Sequence, residues 1–446
     1  MAIGQFSSQT VAMQLEQVRP KLAEFLVRSE SKFSQLFKKA SEKHRVSAWT
    51  AGSGAVQAWR IPVLLNVGGD YQAFSLDGGD LGTGSLMKTV YMTLGYYATD
   101  IAFNVPALAA FATKTNQQAI ENAMAWSVGN AIKETALYNE IALFQDGTGI
   151  LASSTAVSGS GTNPSPITYT LETANFTYIR LRGNNQLLDV ANSSNVIVST
   201  GQRLTNINFA ANQVTVAGGT TYTAASGDQL IFPGQGPVTS TTLSSGTFRY
   251  GLYTYQTTNT SGSLLGLSYA SAYELACNQV NGGGGYYTPS VLLSGKSQLI
   301  QRRDDMAWTG IIGVTHMAQR AAWYLESVTI ANWLRNEQKQ AALDLVPTGT
   351  TYGDTFEAGD VTHYVSRYAS KSRVDWFNPK NFGVVMLDDI NFFQSPEGQR
   401  IFVGRVAATG NPSAGFQFYV HTTNNLYSVD PGCSVVCYNL GIPNGQ

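Results

Sequence analysis

Charge is what this chain has least of. Lys, Arg, Asp and Glu make up 13% of its 446 residues, about half the roughly 25% of an ordinary globular protein. What charge there is cancels, since 28 basic against 29 acidic side chains leave a formal net of -1. No global basic field exists to draw in nucleic acid or an anionic membrane surface. Disorder is excluded as well: 43% of residues are hydrophobic and 11% aromatic, enough to bury a core. A folded chain poor in charge and well supplied with aromatics reads as one whose surface ends up against other protein.

Cysteine is scarce too. Cys277, Cys433 and Cys437 make no disulfide framework. No run approaches the ~18 apolar residues that cross a bilayer; the nearest, IAFNVPALAAFA, is interrupted by Asn104 and Pro106. The opening residues MAIGQFSSQTVAMQLEQ lack the basic start and apolar core of a secretory signal. Together these absences give the expectation of a soluble chain, made in the cytoplasm, with no membrane partner. Its length suits two or three domains at roughly 150 residues each.

What is present comes in blocks. Over residues 8 to 45, Leu15, Val18, Leu22, Phe25, Leu26, Phe33, Leu36 and Phe37 recur at helical spacing, with Pro20 restarting the helix. From Trp49 to Asn104, two β-rich arms, AVQAWRIPVLL and SLMKTVYMTLGYYA, flank a connection holding Gly68, Gly69, Gly78, Gly79, Gly82 and Gly84. This spells a long two-stranded hairpin. Such a ribbon is marginal alone in water, so it lies on something else, and a neighbouring subunit is the natural candidate.

A long helix follows, from a capping box at Thr115 and Gln118 through Ile120, Met124, Val128, Ile132, Ile141 and Phe144. Roughly 30 residues make a rod of about 45 Å. It stops at Asp146-Gly147-Thr148-Gly149, with Gly147 suited to the left-handed position past a helix end. Residues 162 to 236 then switch to strand patterning, FTYIRL, NVIVST, RLTNINF, NQVTVA and DQLIF, read as an inserted small barrel or sandwich of about five or six strands. Beyond it, YASAYELACNQVN reads as helix, the tetraglycine at Gly282 to Gly285 as a mobile loop, and Thr288-Pro289 as the start of a further helix. GIIGVT reads as a buried strand, HMAQRAAWYLESVTIANWLRNEQ as a helix, and the rest as strands and turns. The fold class is α+β.

No constellation of catalytic groups emerges. DGTG lacks the Lys and Ser/Thr of a phosphate-binding loop, and a helix stop is its plain reading. His44, His316, His363 and His421 fall in four separate segments, without metal-ligand spacing. Cys433 and Cys437 in a strand would stand about 13 Å apart, too far for a shared metal or disulfide. Asp304-Asp305 and Asp388-Asp389 are adjacent pairs, poor geometry for a carboxylate dyad, and Arg302-Arg303 reads as a balanced helix end. The expectation is no enzyme, no metal and no cofactor.

The order of these blocks resembles the major capsid proteins of tailed bacteriophages, the Hong Kong 97-type fold shared with encapsulins and herpesvirus shells. ALFQDGTG at the end of the long helix, IIGVTHMAQRAAW, VSRYASKSRVDWFNPKNFGVVML with its turn at Phe377-Asn378-Pro379, and the closing NLYSVDPGCSVVCYNLGIP carry the likeness. Phe248 to Val280 is similar to the stretch that enters the axial domain, though Leu267-Ser268-Tyr269 stand where that family often has Asp/Asn-Arg. The resemblance implies an N-terminal arm (1–48), an extended hairpin, the E-loop (49–104), and a peripheral domain with spine helix and turn (105–161). It implies further the insertion (162–236), an axial domain (237–360), the peripheral sheet (361–430) and a closing axial strand (431–446).

The implied function is structural. Hexamers and pentamers of the chain would tile the icosahedral head of a virion, assembled in the host cytoplasm around double-stranded DNA held by weak contacts. Portal, scaffold and cement or decoration proteins are the other implied partners. Some members bond a hairpin lysine to an asparagine of a neighbour; Lys88 is the one lysine of this hairpin and Asn439 the matching candidate, against the plain reading of an ordinary exposed lysine. Two alternatives stand beside this: an encapsulin-like shell around enzyme cargo, and a β-rich surface adhesin.

Overall fold

In the computed structural model of the protein, the described residues are 49–50, 57–66, 88–95, 98–106, 135, 137–158, 166–173, 181, 186–234, 243, 248–258, 262–304, 306–324, 355–392, 402–405 and 412–443. The helix expected over 8–45, the glycine-rich hairpin tip, the long helix up to residue 134, nearly all of FTYIRL and the helix beyond Tyr324 lie outside them. The chain divides into two compact units. The described residues of the first fall within 96–141 and 384–425, those of the second within 49–95, 142–383 and 426–443.

The second unit opens with a ribbon. Short β1 (Trp49–Thr50) pairs with β2 (Gln57–Asn66), which runs antiparallel to β3 (Lys88–Gly95) from Ala58↔Gly95 to Asn66↔Lys88. Alternation sets its two faces: Ile61, Val63, Met92 and Leu94 are buried, whereas Pro62, Thr89, Tyr91 and Thr93 are exposed. The hairpin is shorter than the expected 49–104. β4 (Ala98–Pro106) leaves it for the first unit, where it pairs antiparallel with residues 415–423.

Next comes α1, residues 137–143, the part of the expected long helix that falls among the described residues. It gives way directly to a closed six-stranded barrel: β5 (Ile150–Ser158), β6 (Ile167–Leu171), β7 (Leu187–Ala191), β8 (Ile197–Asn208), β9 (Gln213–Ala217) and β10 (Gln229–Ile231), in the order β10-β5-β6-β9-β8-β7. Pairing of β10 with both β5 and β7 closes it, so no strand edge stays open. The inward set includes Ile167, Tyr169, Leu188, Val190, Leu204, Val214 and Val216, all buried, alternating with outward polar residues. The barrel starts ahead of the expected residue 162. ILASSTAVS, small and weak in strand propensity, is a wall strand because β6 and β10 flank it, so the segment 105–161 ends as barrel. NVIVST and RLTNINF, read as two strands, are parts of the single strand β8.

Past the barrel, α2 (Leu252–Tyr255) leads to the two-residue hairpin of β11 (Ser263–Leu264) and β12 (Leu267–Ser268). YASAYELACNQVN is not a helix. It holds a short 3-10 turn, Tyr273–Leu275, and strand β13 (Asn278–Asn281), which pairs parallel to the closing strand. Tertiary pairing overrides the helical propensity of Ala, Glu and Leu here. α3 (Pro289–Arg302) starts where Thr288-Pro289 placed it. Strands β14 (Ile312–Thr315), β15 (Thr355–Ala358), β16 (Val361–Val365), β17 (Val374–Phe377) and β21 (Ser434–Tyr438) join β13 in a six-stranded sheet ordered β13-β21-β17-β14-β16-β15. The boundary drawn at 360/361 therefore fails: β15 and β16 are one hairpin turning at Gly359, whose φ is +61°. Helix 317–324, here α4, follows β14.

The first unit's sheet holds β18 (Phe382–Phe392), β20 (Pro412–Ser428) and β19 (Phe402–Arg405), with β4 on β20. Both β18 and β20 reach past residues 384–425 at one end.

Packing in the second unit leaves no room for a side chain where residue 251 meets the end of α1. A Cβ on Gly251 would stand 2.5 Å from the Ala142 carbonyl oxygen and 2.6 and 2.7 Å from backbone atoms of Gln145. Gly251 has φ -121°, so space and not torsion demands glycine. Gly251→Ala should destabilise by about 1–3 kcal/mol through overpacking against backbone. Gly262→Ala, with nothing within 4 Å of its Cβ, should stay within about 0.5 kcal/mol of wild type. Urea midpoints of the two variants check both.

Candidate functional site

The turn after α1 is a stitch. Asp146 Oδ1 accepts from Thr148 N at 3.0 Å and from the Thr148 hydroxyl at 2.5 Å, an Asx turn. Gly147 and Gly149 have φ +91° and +81°, the left-handed region that glycine enters without penalty. Phe248 N donates to Gly147 O at 2.8 Å, Phe232 N to Gly149 O at 3.1 Å, and Asp146 forms a β-bridge with Tyr250. The acidic, glycine-rich stop thus holds the start and the end of the barrel excursion side by side.

The other polar residues singled out from the sequence have local work. Arg302 donates to the carbonyls of Tyr273 and Ala276, and Arg303 to Glu274 O and Asp430 Oδ1 at 2.9 and 2.7 Å. The end of α3 is thereby pinned on both neighbouring segments. His316 Nδ1 accepts from Ala318 N at 3.0 Å at the start of α4. His421 lies in the first unit's sheet and His44 outside the described residues. Burial pushes the Cys277 and Cys437 thiols up to about 12, which leaves them unreactive. Among the described residues no three His, Cys, Asp or Glu side chains group as metal ligands.

The tetraglycine is a clasp and not a mobile loop. Gly282 N donates to Tyr438 O and Gly284 N to Asn439 O, both at 2.8 Å, and Gly441 N returns to Gly285 O at 2.8 Å. A Cβ at Gly441 would stand 2.6 Å from Gly284 O. Asn439 sits in this clasp with φ +56°, its Nδ2 donating to Asn281 Oδ1 at 3.2 Å. Lys88 lies elsewhere, at the end of the ribbon, its Nζ donating to Ser271 O at 3.3 Å. Within one chain the two candidate cross-link residues therefore have separate partners.

The ribbon's second support is the tip of the β11–β12 hairpin. Leu265 and Gly266 have φ +48° and +87°, the two left-handed residues of a tight hairpin turn. Thr93 N donates to Leu265 O at 3.4 Å. A left-handed leucine is uncommon, and here its carbonyl faces the ribbon.

One site went unread in the sequence. Arg373, ahead of β17, donates through Nε to Asp375 Oδ1 at 2.7 Å, lies 4.0 Å over the Tyr253 ring and also bonds Gln256 O. Burial pushes Asp375 up while Arg373 pulls it back; burial disfavours the Arg373 charge, but Asp375 and Tyr253 outweigh that and raise its pKa. The i, i+2 spacing of SRVDW puts both on one strand face, a signal legible only once the strand is known. Arg373→Met should cost about 3–5 kcal/mol by stranding a buried carboxylate, and Arg373→Met with Asp375→Leu should recover much of the loss. A double-mutant cycle in urea reads this; a double variant as weak as the sum of its singles rules the coupling out.

No family model and no curated protein matches the chain. Among solved structures it is similar to the cyanophage A-1(L) capsid asymmetric unit, with TM-score 0.44 and 10% identity over 89% of this chain and 96% of that one. It is similar to the capsid of Ralstonia phage GP4, with TM-score 0.40 and 10% identity over 93% and 92%. A third is the holo-encapsulin complex from Synechococcus elongatus, with TM-score 0.35 and 10% identity over 81% and 80%.

Proposed function

We propose that this chain is a shell-forming capsid protein, the major coat protein of a tailed-phage head, built as hexamers and pentamers around double-stranded DNA. The observation that supports it best is the ribbon. Its strands keep register from Ala58↔Gly95 to Leu64↔Thr89 and shift only before Asn66↔Lys88, with Pro62, Tyr91 and Thr93 outward. A two-stranded arm of that length gains little stability alone and suits a lap joint over a second copy. The charge-poor composition and the order of sequence blocks that resembles capsid proteins point the same way. Among the described residues no helix is long and apolar enough to cross a membrane.

Electron microscopy with light scattering on the purified protein should show closed particles or capsomer rings. Replacing residues 67–87 by an Asn-Gly turn should leave folded subunits that no longer assemble; full assembly of that variant would remove the ribbon from the account. Nuclease-protected DNA inside the particles fits the phage head, whereas an enzyme cargo fits the encapsulin-like alternative. The same reading assigns Lys88 and Asn439 to a possible bond between copies, in which the amine attacks the side-chain amide carbon and ammonia leaves. That bond predicts a ladder of multiples on boiled SDS gels, abolished by Lys88→Arg. A single monomer band excludes it.

A further inference from the structure

His363 is fully buried on β16, one strand in from the β15 edge of the second unit's six-stranded sheet. A Cβ on Gly313, its partner across β14 and β16, would stand 2.2 Å from the imidazole Cδ2, so glycine makes the ring's bed. The Trp376 indole N–H donates to His363 Nε2 at 3.0 Å, and the Tyr287 hydroxyl meets the same nitrogen at 2.8 Å. An indole nitrogen only donates. Nε2 therefore carries the lone pair, and Nδ1–H donates to Val361 O at 3.0 Å. Rings fill the rest of the surroundings, with Phe356 stacked at 4.9 Å and Tyr287 at 5.6 Å.

Among the described residues no carboxylate bonds the imidazole. The charged groups on the elements around it are committed elsewhere: Lys296 of α3 to Asp360, Arg373 to Asp375 on β17, Glu357 to Thr362, and Arg320 of α4 over Tyr324. Tyr287 and, beyond it, Cys437 are the nearby titratable groups, and burial raises both. A proton on Nε2 would point at the indole N–H. Trp376 in turn is the floor of α3, where a Cβ on Gly295 would come within 2.9 Å of its ring.

We propose that His363 is an acid switch: one proton taken up at Nε2 expels the Trp376 indole and frees α3 from the sheet. Burial lowers the His363 pKa from 6.5 to about 4 in the folded chain, with the Val361 carbonyl pulling the other way. Above pH 6.5 folded and unfolded chains are both neutral at this site, and stability does not depend on it. Between 6.5 and about 4 only the unfolded chain binds the proton, so stability falls as pH falls. Below about 4 the loss is complete.

Urea unfolding of the full-length protein from pH 7.5 to 3.5, beside His363→Gln, tests this. The folding equilibrium constant of wild type should drop about tenfold per pH unit across the window relative to the variant, about 300-fold in all. Parallel curves for the two proteins overturn the proposal. Should the variant not fold, hydrogen–deuterium exchange at the His363 ring carbon of folded wild type, read by mass spectrometry, gives its titration directly. A midpoint near 4 supports the switch, and one at 6 or above overturns it.

Discussion

The second unit turns on the burial of one indole. Trp376 has no exposed surface, and each of its edges serves a different element. Its ring supports α3 through Gly295, and its N–H ends on His363. Its backbone carbonyl accepts from the Gln256 side chain at 3.0 Å, which ties in the segment after α2. Tyr287 and Trp308 crowd its faces at 5.9 and 6.3 Å. One and three residues earlier, Asp375 and Arg373 bring α2 to the same strand. A strand four residues long thus fixes one helix, one short helical turn, its two neighbouring strands β14 and β21 and, through His363, β16. Such a hub needs close contact, which is why Gly295 and Gly313 stand over Trp376 and His363.

The barrel and the ribbon depend less on that core and more on backbone stitches. The barrel's two ends meet through residues 146–149 and 232–250, in bonds between main-chain groups that any sequence could make if the torsions allowed. Gly147 and Gly149 supply the torsions, and Gly251 the space. The ribbon is held by two carbonyls, Leu265 on Thr93 towards its base and Ser271 on Lys88 at its far end, and by one buried face. A modest grip is what the proposed lap joint would call for, since an element fully satisfied within its own chain has nothing left to offer a neighbour.

Patterns with a short period were legible in the sequence. The two ribbon arms, the buried strand at GIIGVT, the helix opened by Thr288-Pro289 and the barrel strands from Asn195 onward carry their own spacing and turn residues. What was not legible has a common cause. ILASSTAVS and NQVN become strands because segments elsewhere in the chain, Gln229–Ile231 and Ser434–Tyr438, pair with them, and nothing in nine or four residues records so distant a partner. Chemistry followed the same rule. Arg302, Arg303 and the DGTG turn read correctly as structural punctuation, since their roles are local. The Arg373–Asp375 pair did not, because one strand had to be known first, and the His363 cage did not, because four elements build it.

That difference bears on the tetraglycine. Four glycines in a row offer great freedom in the unfolded chain, and freedom was the expectation. In the fold the same lack of side chains lets residues 282–285 lie flat against 438–441, where Gly282 and left-handed Gly284 turn their amides onto the carbonyls of Tyr438 and Asn439, and left-handed Gly283 donates to Asn281 Oδ1. Entropy lost there is offset by main-chain hydrogen bonds that bulkier residues would block. Glycine content alone therefore decides nothing about mobility. Whether a glycine run is loose or locked depends on the surface it can approach, and here that surface is the end of β21, which also presents Asn439.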